Sequence, residues 1–364
     1  MRKLTSVQKA DGMNYAPKGK AAPVVSPGEF PIAAVGIDHG HIYGMCNGLV
    51  EAGADVRCVF DPDPDKVKRF LDMYPQAKAA RSKQEVLDDP AVKLIASSCV
   101  PCDRGPLGVE VMSHGKDYFV DKAPLITFAQ LAAARAKVAE TGRKYAVYYS
   151  ERLHSECSIY AGNLIAEGAI GRVLQVIGLG PHRLAAASRP AWFFERKSYG
   201  GILIDIGSHQ IEQFLHFAGA QDAQVISSRV ANYANKQYPE LEDFGDAALT
   251  ADNGATNYFR VDWFTPAGLG AWGDGRATIL GTDGYIELRK YLDVARDPES
   301  DQLYLVNGKE EKRIATHNTV GFPFFGQLIL DCLNRTENAM TQQRAFRAAE
   351  LSLIAQQQAI RVEE

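Results

Sequence analysis

Asp205 and His209 stand four positions apart, just after two glycines and an apolar run, in Gly200-Gly201-Ile-Leu-Ile-Asp205-Ile-Gly-Ser-His209. On a helix that spacing puts both side chains on one face, one turn apart. Imidazole titrates near neutral pH, and a neighbouring carboxylate favours its charged form and fixes its tautomer. The pair is therefore suited to general acid/base work. The same spacing would equally serve a helix cap beside a hydrogen-bonded core histidine. Gly207 and Ser208, poor helix-interior residues, predict a helix start with close backbone approach. A second candidate is Lys122, which follows the apolar run Tyr118–Val120 and Asp121. An ammonium there can polarise a hydroxyl or carbonyl oxygen and stabilise charge developing on it. Alternatively it is a surface lysine after a strand.

The elements around these residues read as two domains after an arm. Residues 1–29 carry Pro17, Pro23 and Pro27 with little periodicity and read as an arm, either disordered or wrapped on a neighbouring subunit. From Phe30 to residue 151, short apolar strands alternate with helices. Strands are expected at 31–35, 55–60, 77–80, 94–98, 118–120 and 144–149. Helices are expected to 52, then at 65–73, 83–87, 107–114 and 128–140. That alternation predicts a doubly wound parallel sheet of Rossmann type, with ligands at the carboxyl ends of the strands. The first turn reads Gly36-Ile-Asp38-His39-Gly40-His41-Ile42, and Asp61 ends the second strand. A glycine turn and such an acid are the dinucleotide fingerprint, the acid accepting hydrogen bonds from the ribose. The glycine spacing is irregular, because Asp38 and His41 occupy two of the three glycine positions. An acid repels a 2′-phosphate, so NAD is expected rather than NADP. His39 and His41 are expected to line the pocket or cap the helix, and no metal is expected.

From Arg152 to residue 364 the pattern changes. A helix at 158–167 precedes strands at 173–179, 225–231, 247–251, 256–263, 269–280 and 285–290, whose alternation suggests antiparallel pairing. Asn307-Gly308 joins a hairpin, Tyr304–Val306 with Lys309–Ile314. A last helix, 342–360, is expected to pack back on the first domain. The loop 180–199 places His182, Arg183, Arg189, Trp192, Phe193 and Phe194 just before the glycine pair. Rings beside polar donors suit a sugar ring, although ordinary packing would use the same residues. His154 and His182 are further pocket candidates.

Composition narrows the class. The chain has 364 residues, 46% hydrophobic and 23% charged, enough for two domains with ample core. A net charge of −4 argues against a nucleic-acid partner. No apolar run approaches a membrane span, and no secretory signal is visible. The six cysteines are irregularly spaced, so reduced thiols in a cytoplasmic protein are expected. Cys99 and Cys102 read as small residues at a strand end rather than a redox pair or half a zinc site.

Asp121-Lys122-Ala123-Pro124 resembles the Glu-Lys-Pro motif of the Gfo/Idh/MocA oxidoreductase family, and Gly200–His209 resembles its Gly-Gly…Asp…Gly…His signature. The segment Arg152, then 165–173, is similar to that family's link into its second domain. The resemblance covers about residues 30–360. Three positions depart from it: Ala123 stands where proline follows the lysine, the glycine turn is altered, and the loop Val100–Pro106 lacks a histidine common in the family. The resemblance implies a second domain with an open, mostly antiparallel sheet that makes homodimers or homotetramers. It implies NAD contacts at Gly36, Asp38, His39, Gly40, His41, Ile42, Asp61, Ser98, Val100, Pro101, Asp121 and Lys122. Substrate contacts are implied at Lys122, Arg152, His154, His182, Trp192, Asp205 and His209. The implied chemistry is oxidation of a secondary alcohol of a sugar, glycoside, inositol or polyol. His209 is then the base, Lys122 steadies the oxyanion, and Asp205 orients the imidazole or holds a substrate hydroxyl. Two alternatives stay open: an NAD-recycling enzyme that cleaves glycosides by transient oxidation and elimination, and a nucleotide-binding regulator without catalysis.

Overall fold

The central strands of the first domain are apolar and buried, which requires a sheet covered on both faces. In the computed structural model, which describes residues 12–17 and 22–363, they lie within a six-stranded parallel sheet. The strands are β1 (Pro31–Val35), β2 (Asp55–Phe60), β3 (Lys78–Ala79), β4 (Leu94–Ser97), β5 (Asp117–Asp121) and β6 (Tyr145–Tyr148), in the order β3-β2-β1-β4-β5-β6. Order reverses beside β1, the point where an open α/β sheet leaves a crevice at its carboxyl edge. Local chemistry sets the helix starts. Asp63 accepts from the Asp65 and Lys66 amides ahead of Pro64–Met73, and Thr127 accepts from the Gln130 amide ahead of Phe128–Thr141.

The chain divides into two compact units. Among the described residues, the first comprises Met13–Tyr148 with Gly321–Phe346; the second comprises Gly12, Tyr149–Val320 and residues 347–363. The division falls at Tyr149, and residues 321–346 group with the first unit rather than the second. The reason is the helix Pro323–Asn334, which the sequence reading missed. Phe324 packs on Phe119, and Phe325 sits so close to Gly48 that a Cβ there would meet its ring at 2.4 Å. From Met13 on, the described part of the arm also belongs here. Val24 donates to the Ala52 carbonyl, and Met13, Tyr15 and Val25 are buried. Residues 1–11 and 18–21 of the expected arm lie outside the described residues.

The second unit holds a nine-stranded sheet in the order β14-β13-β12-β11-β7-β10-β9-β8-β15. Its strands are β7 (Val173–Pro181), β8 (Ala223–Ala231), β9 (Phe244–Ala251), β10 (Thr256–Asp262), β11 (Arg276–Gly281), β12 (Gly284–Arg289), β13 (Gln302–Asn307), β14 (Glu311–Ala315) and β15 (Ile360–Val362). Pairing is antiparallel except for β7 with β10 and β8 with β15. The expected strand 269–280 begins only at Arg276. Upstream of it, the Arg183 guanidinium takes the carbonyls of Pro266, Leu269 and Ala271, so they do not enter a ladder. The last helix ends at Gln358 and yields to β15, an edge strand with no periodicity to reveal it. The helix Gly207–Ala218 packs against β7, β9 and β10. The register brings Tyr258 beside Ile177 and Leu280 beside Tyr285, four exposed apolar side chains. No helix among the described residues is long and apolar enough to cross a membrane.

Candidate active site

In the first unit, the turn after β1 needs glycine at its first position. Gly36 has φ +66°, and a Cβ there would lie 2.7 Å from that of Cys99. Beyond it, the His39 amide donates to the Ser98 carbonyl, and Ser98 Oγ donates back to the His39 carbonyl at 2.6 Å. Gly40 precedes the helix His41–Glu51 without a side-chain cap, and Ile42 is buried in its first turn. His39 and His41 both turn toward Asp121, the last residue of β5, with Nδ1 atoms 3.2 and 2.9 Å from its two oxygens. Burial, with the charge of His41, pushes the His39 imidazole down to about 3, so His39 is neutral near pH 7. Burial opposes charge on Asp121 too, but His41 and Arg104 hold its carboxyl well below the usual range. The three donor groups lie within 4.8 Å of one another, a spacing that could admit a metal. Arg104 on the same carboxylate already supplies positive charge.

Arg104 was not singled out from the sequence, yet it organises the turn that carries Lys122. It is fully buried in the helix Pro101–Ser113, which begins six residues earlier than expected, with Val100 as its N-cap. Its guanidinium donates to the carbonyls of Cys99 at 2.7 Å, Ala123 at 3.2 Å and Lys122, and to Asp121 Oδ2 at 3.1 Å. The Lys122–Ala123 peptide is cis. Lys122 itself is buried.

Asp61 ends β2 buried, one oxygen accepting from the Ile37 amide at 2.8 Å and the other from the Asp63 amide at 2.9 Å. Lys66 bridges it to Asp38, at 3.6 and 2.6 Å. Each carboxylate oxygen has two lone pairs, so capacity for ribose hydroxyls remains. A left-handed glycine turn, an uncapped helix start and an acid with spare acceptors fit the adenosine half of a dinucleotide.

In the second unit, Gly200 and Gly201 have φ of 87° and 117°, and a Cβ on Gly201 would meet Gln356 Oε1 at 2.3 Å. Asp205 and His209 are both buried, but they do not share one continuous helix. Asp205 ends the turn Ile202–Asp205, and a new helix starts at Gly207, where the glycine lets Phe259 approach. The His209 amide bonds the Ile206 carbonyl at 3.1 Å, closing a tighter turn across the break. The Tyr149 ring lies edge-on to His209 with centroids 6.1 Å apart.

Beneath His209 is a buried polar cluster that sequence reasoning missed. Glu151 Oε2 accepts from Gln210 Nε2 at 2.8 Å and from Lys290 Nζ at 3.1 Å. Lys290 also donates to Gln213 Oε1 at 2.5 Å, and Gln213 donates to the His209 carbonyl at 3.0 Å. Burial alone would raise the Glu151 carboxyl, but Lys290, His209 and His182 bring it down to about 2. Partners this far apart in sequence leave no spacing signal.

The remaining predicted contacts scatter. Arg152 grips Glu212 with a fork, Nε 2.9 Å from both oxygens and Nη2 2.5 Å from one, and both side chains are buried. His154 is buried at the end of the turn Ser150–Leu153. His182 Nδ1 donates to the Gly180 carbonyl at 3.0 Å, and its ring lies against Trp263 and Trp272. Trp192 is half-buried beside Phe193, over which Arg189 stacks.

Residues 159–287 match the model of the GFO/IDH/MocA C-terminal domain. The chain is 28% identical over 240 residues to scyllo-inositol 2-dehydrogenase (NAD(+)) of Bacillus subtilis (strain 168), and 21% over 208 residues to D-xylose dehydrogenase of Paenarthrobacter nicotinovorans. These matches cover 64% and 56% of this chain, and 66% and 52% of those proteins. The solved structure of a candidate oxidoreductase from Erwinia carotovora atroseptica SCRI1043 is 50% identical, with a TM-score of 0.89. That match covers 92% of this chain and all of the other. With the Lys122 and His209 motifs in their expected order, the chain belongs to the Gfo/Idh/MocA family of oxidoreductases.

Proposed function

We propose that the protein is an NAD-dependent dehydrogenase that oxidises a secondary alcohol of a sugar, glycoside, inositol or related polyol. The observation that carries this reading is Lys122 at the carboxyl end of β5, held by the buried Asp121–Arg104 pair, in a chain of this family. The inositol and xylose dehydrogenases among its relatives support a polyhydroxylated substrate. NAD, when bound, supplies the acceptor for the hydrogen leaving the carbinol carbon. The turn Gly36–Ile42, Asp61, and the loop Ser98–Pro101 hold it, with the carboxylate of Asp61 selecting against a 2′-phosphate. His209 takes the hydroxyl proton, Lys122 steadies the oxygen as charge develops there, and Asp205 orients the imidazole or a substrate hydroxyl. The exposed pairs Ile177–Tyr258 and Leu280–Tyr285 favour association of copies through that sheet face.

The test is NADH formation over a panel of inositols, aldoses and glycosides, with product analysis. Steady NADH accumulation on at least one polyol is expected. Glycoside cleavage without accumulation would replace this reading with the oxidation–elimination one. Tight NAD binding with no turnover on any member would leave a non-catalytic nucleotide-binding protein.

A further inference from the structure

We propose that Glu151 is a positioning residue for His209: its carboxylate stabilises the imidazolium formed when His209 takes a proton. The claim rests on the role as base given to His209 above.

Glu151 lies on the turn Ser150–Leu153, between the two units' sequence boundary and the Arg152–Glu212 fork. Its Oε2 is occupied by Gln210 and Lys290, with Gln213 at 3.5 Å. Its Oε1 lies 3.8 Å from His182 Nε2, and the His209 imidazole is close enough to lower the Glu151 carboxyl electrostatically. The slot for this arrangement is built into β7. A Cβ at Gly178 or Gly180 would meet the Gln210 amide at 2.3 or 2.7 Å, so those glycines let Gln210 lie flat and reach Glu151. Lys290 is completely buried, and Gln213 joins it to the backbone of His209.

The hydrogen-bond chemistry gives the direction. A carbonyl can only accept, so His182 Nδ1 carries the proton shared with Gly180. Its Nε2 is then attracted to Glu151 only when it too is protonated. One carboxylate therefore faces an ammonium and two imidazoles. Near His209, Arg152 and Glu212 neutralise each other, Asp205 is a second carboxylate that would act in the same direction, and the Tyr149 ring meets His209 edge-on. With Glu151 already held near 2 by these neighbours, an incoming proton stays on His209 instead of passing to the carboxylate.

The experiment is an NMR titration of the full chain labelled with ¹⁵N-histidine, His209 being assigned by its loss in His209→Gln. In Glu151→Gln the proton affinity of His209 should fall about tenfold or more, moving its midpoint down by about one pH unit. Glu151→Asp, which keeps the charge, should restore most of it. In Lys290→Met the shift should have the opposite sign, and this variant decides the matter where Glu151→Gln does not fold. The acid limb of kcat/KM should move with the midpoint. A folded Glu151→Gln protein whose His209 midpoint is unchanged or raised overturns the proposal, as does a downward shift in Lys290→Met. The midpoint is read without substrate, so failure to oxidise any polyol would count against the dehydrogenase reading and not against this one.

Discussion

Replacing Arg104 by methionine keeps an unbranched side chain of similar reach and removes every donor. In the folded protein the guanidinium serves three carbonyls, of Cys99, Lys122 and Ala123, and one carboxylate, Asp121. None of these acceptors can turn to water, because Arg104, Asp121 and Ala123 are fully buried. Each carbonyl left without a donor costs about 1 kcal/mol, and breaking a buried ion pair by removing one partner costs about 3–5 kcal/mol in all. His41 still donates to Asp121, which keeps the expected loss near the lower end, about 3 kcal/mol. Urea unfolding of wild type and Arg104→Met, followed by fluorescence, should show that loss as a lower midpoint with an unchanged slope. Arg104→Lys, which retains a charge but not the fork, should fall between. Because the same fork fixes the turn bearing Lys122, kcat should drop about tenfold or more while NAD affinity changes little. A loss below about 1 kcal/mol at unchanged slope, with kcat intact, would refute the view that Arg104 organises this turn.

Two other outcomes follow from the site. Lys122→Ala and His209→Ala should each lower kcat by about 10²-fold or more with NAD affinity largely kept, measured by steady-state kinetics and by NAD titration. Wild-type turnover in either variant removes that residue from the reaction. Glu151 should also tie stability to pH. Its carboxyl moves from an ordinary 4.5 to about 2 on folding, so the stability it contributes is fully present above 4.5 and disappears as pH falls toward 2. That contribution is about 3 kcal/mol, and Glu151→Gln should flatten the acid arm of the stability profile by a similar amount. Denaturant midpoints taken across that range check it, and parallel profiles for the two proteins would contradict the assignment.

What the sequence made legible was periodic or local. The strands β1, β2, β4 and β5 announced themselves as apolar runs with turn residues between them, and Asp61, Lys122 and Gly207 fell at element ends as expected. The helix Pro101–Ser113 was read too short because glycine and Pro106 interrupt its pattern, although Pro101 suits its first position. The helix Pro323–Asn334 was missed although Pro323 suits its first position and Gln327, Asp331 and Asn334 recur at helical spacing. The polar chemistry was illegible for a different reason. Arg152 meets Glu212 from 60 positions away, and Lys290 meets Glu151 from 139, so only the folded sheet brings them together. The one local geometric premise that changed was the continuous helix under Asp205 and His209, which Gly207 divides.

The turn that carries Asp205 borrows its own backbone partners from far along the chain. The Ile202 amide donates to Glu242, 40 positions later, and the Leu203 amide to Gln356, 153 positions later, while Gln356 also grips Glu242. A ribosome delivers those acceptors long after the glycine pair has emerged, so these two bonds cannot form until the helix Gln342–Gln358 has been made. The turn's full set of backbone partners is thus a property of the nearly complete chain, and contacts of such sequence separation form slowly.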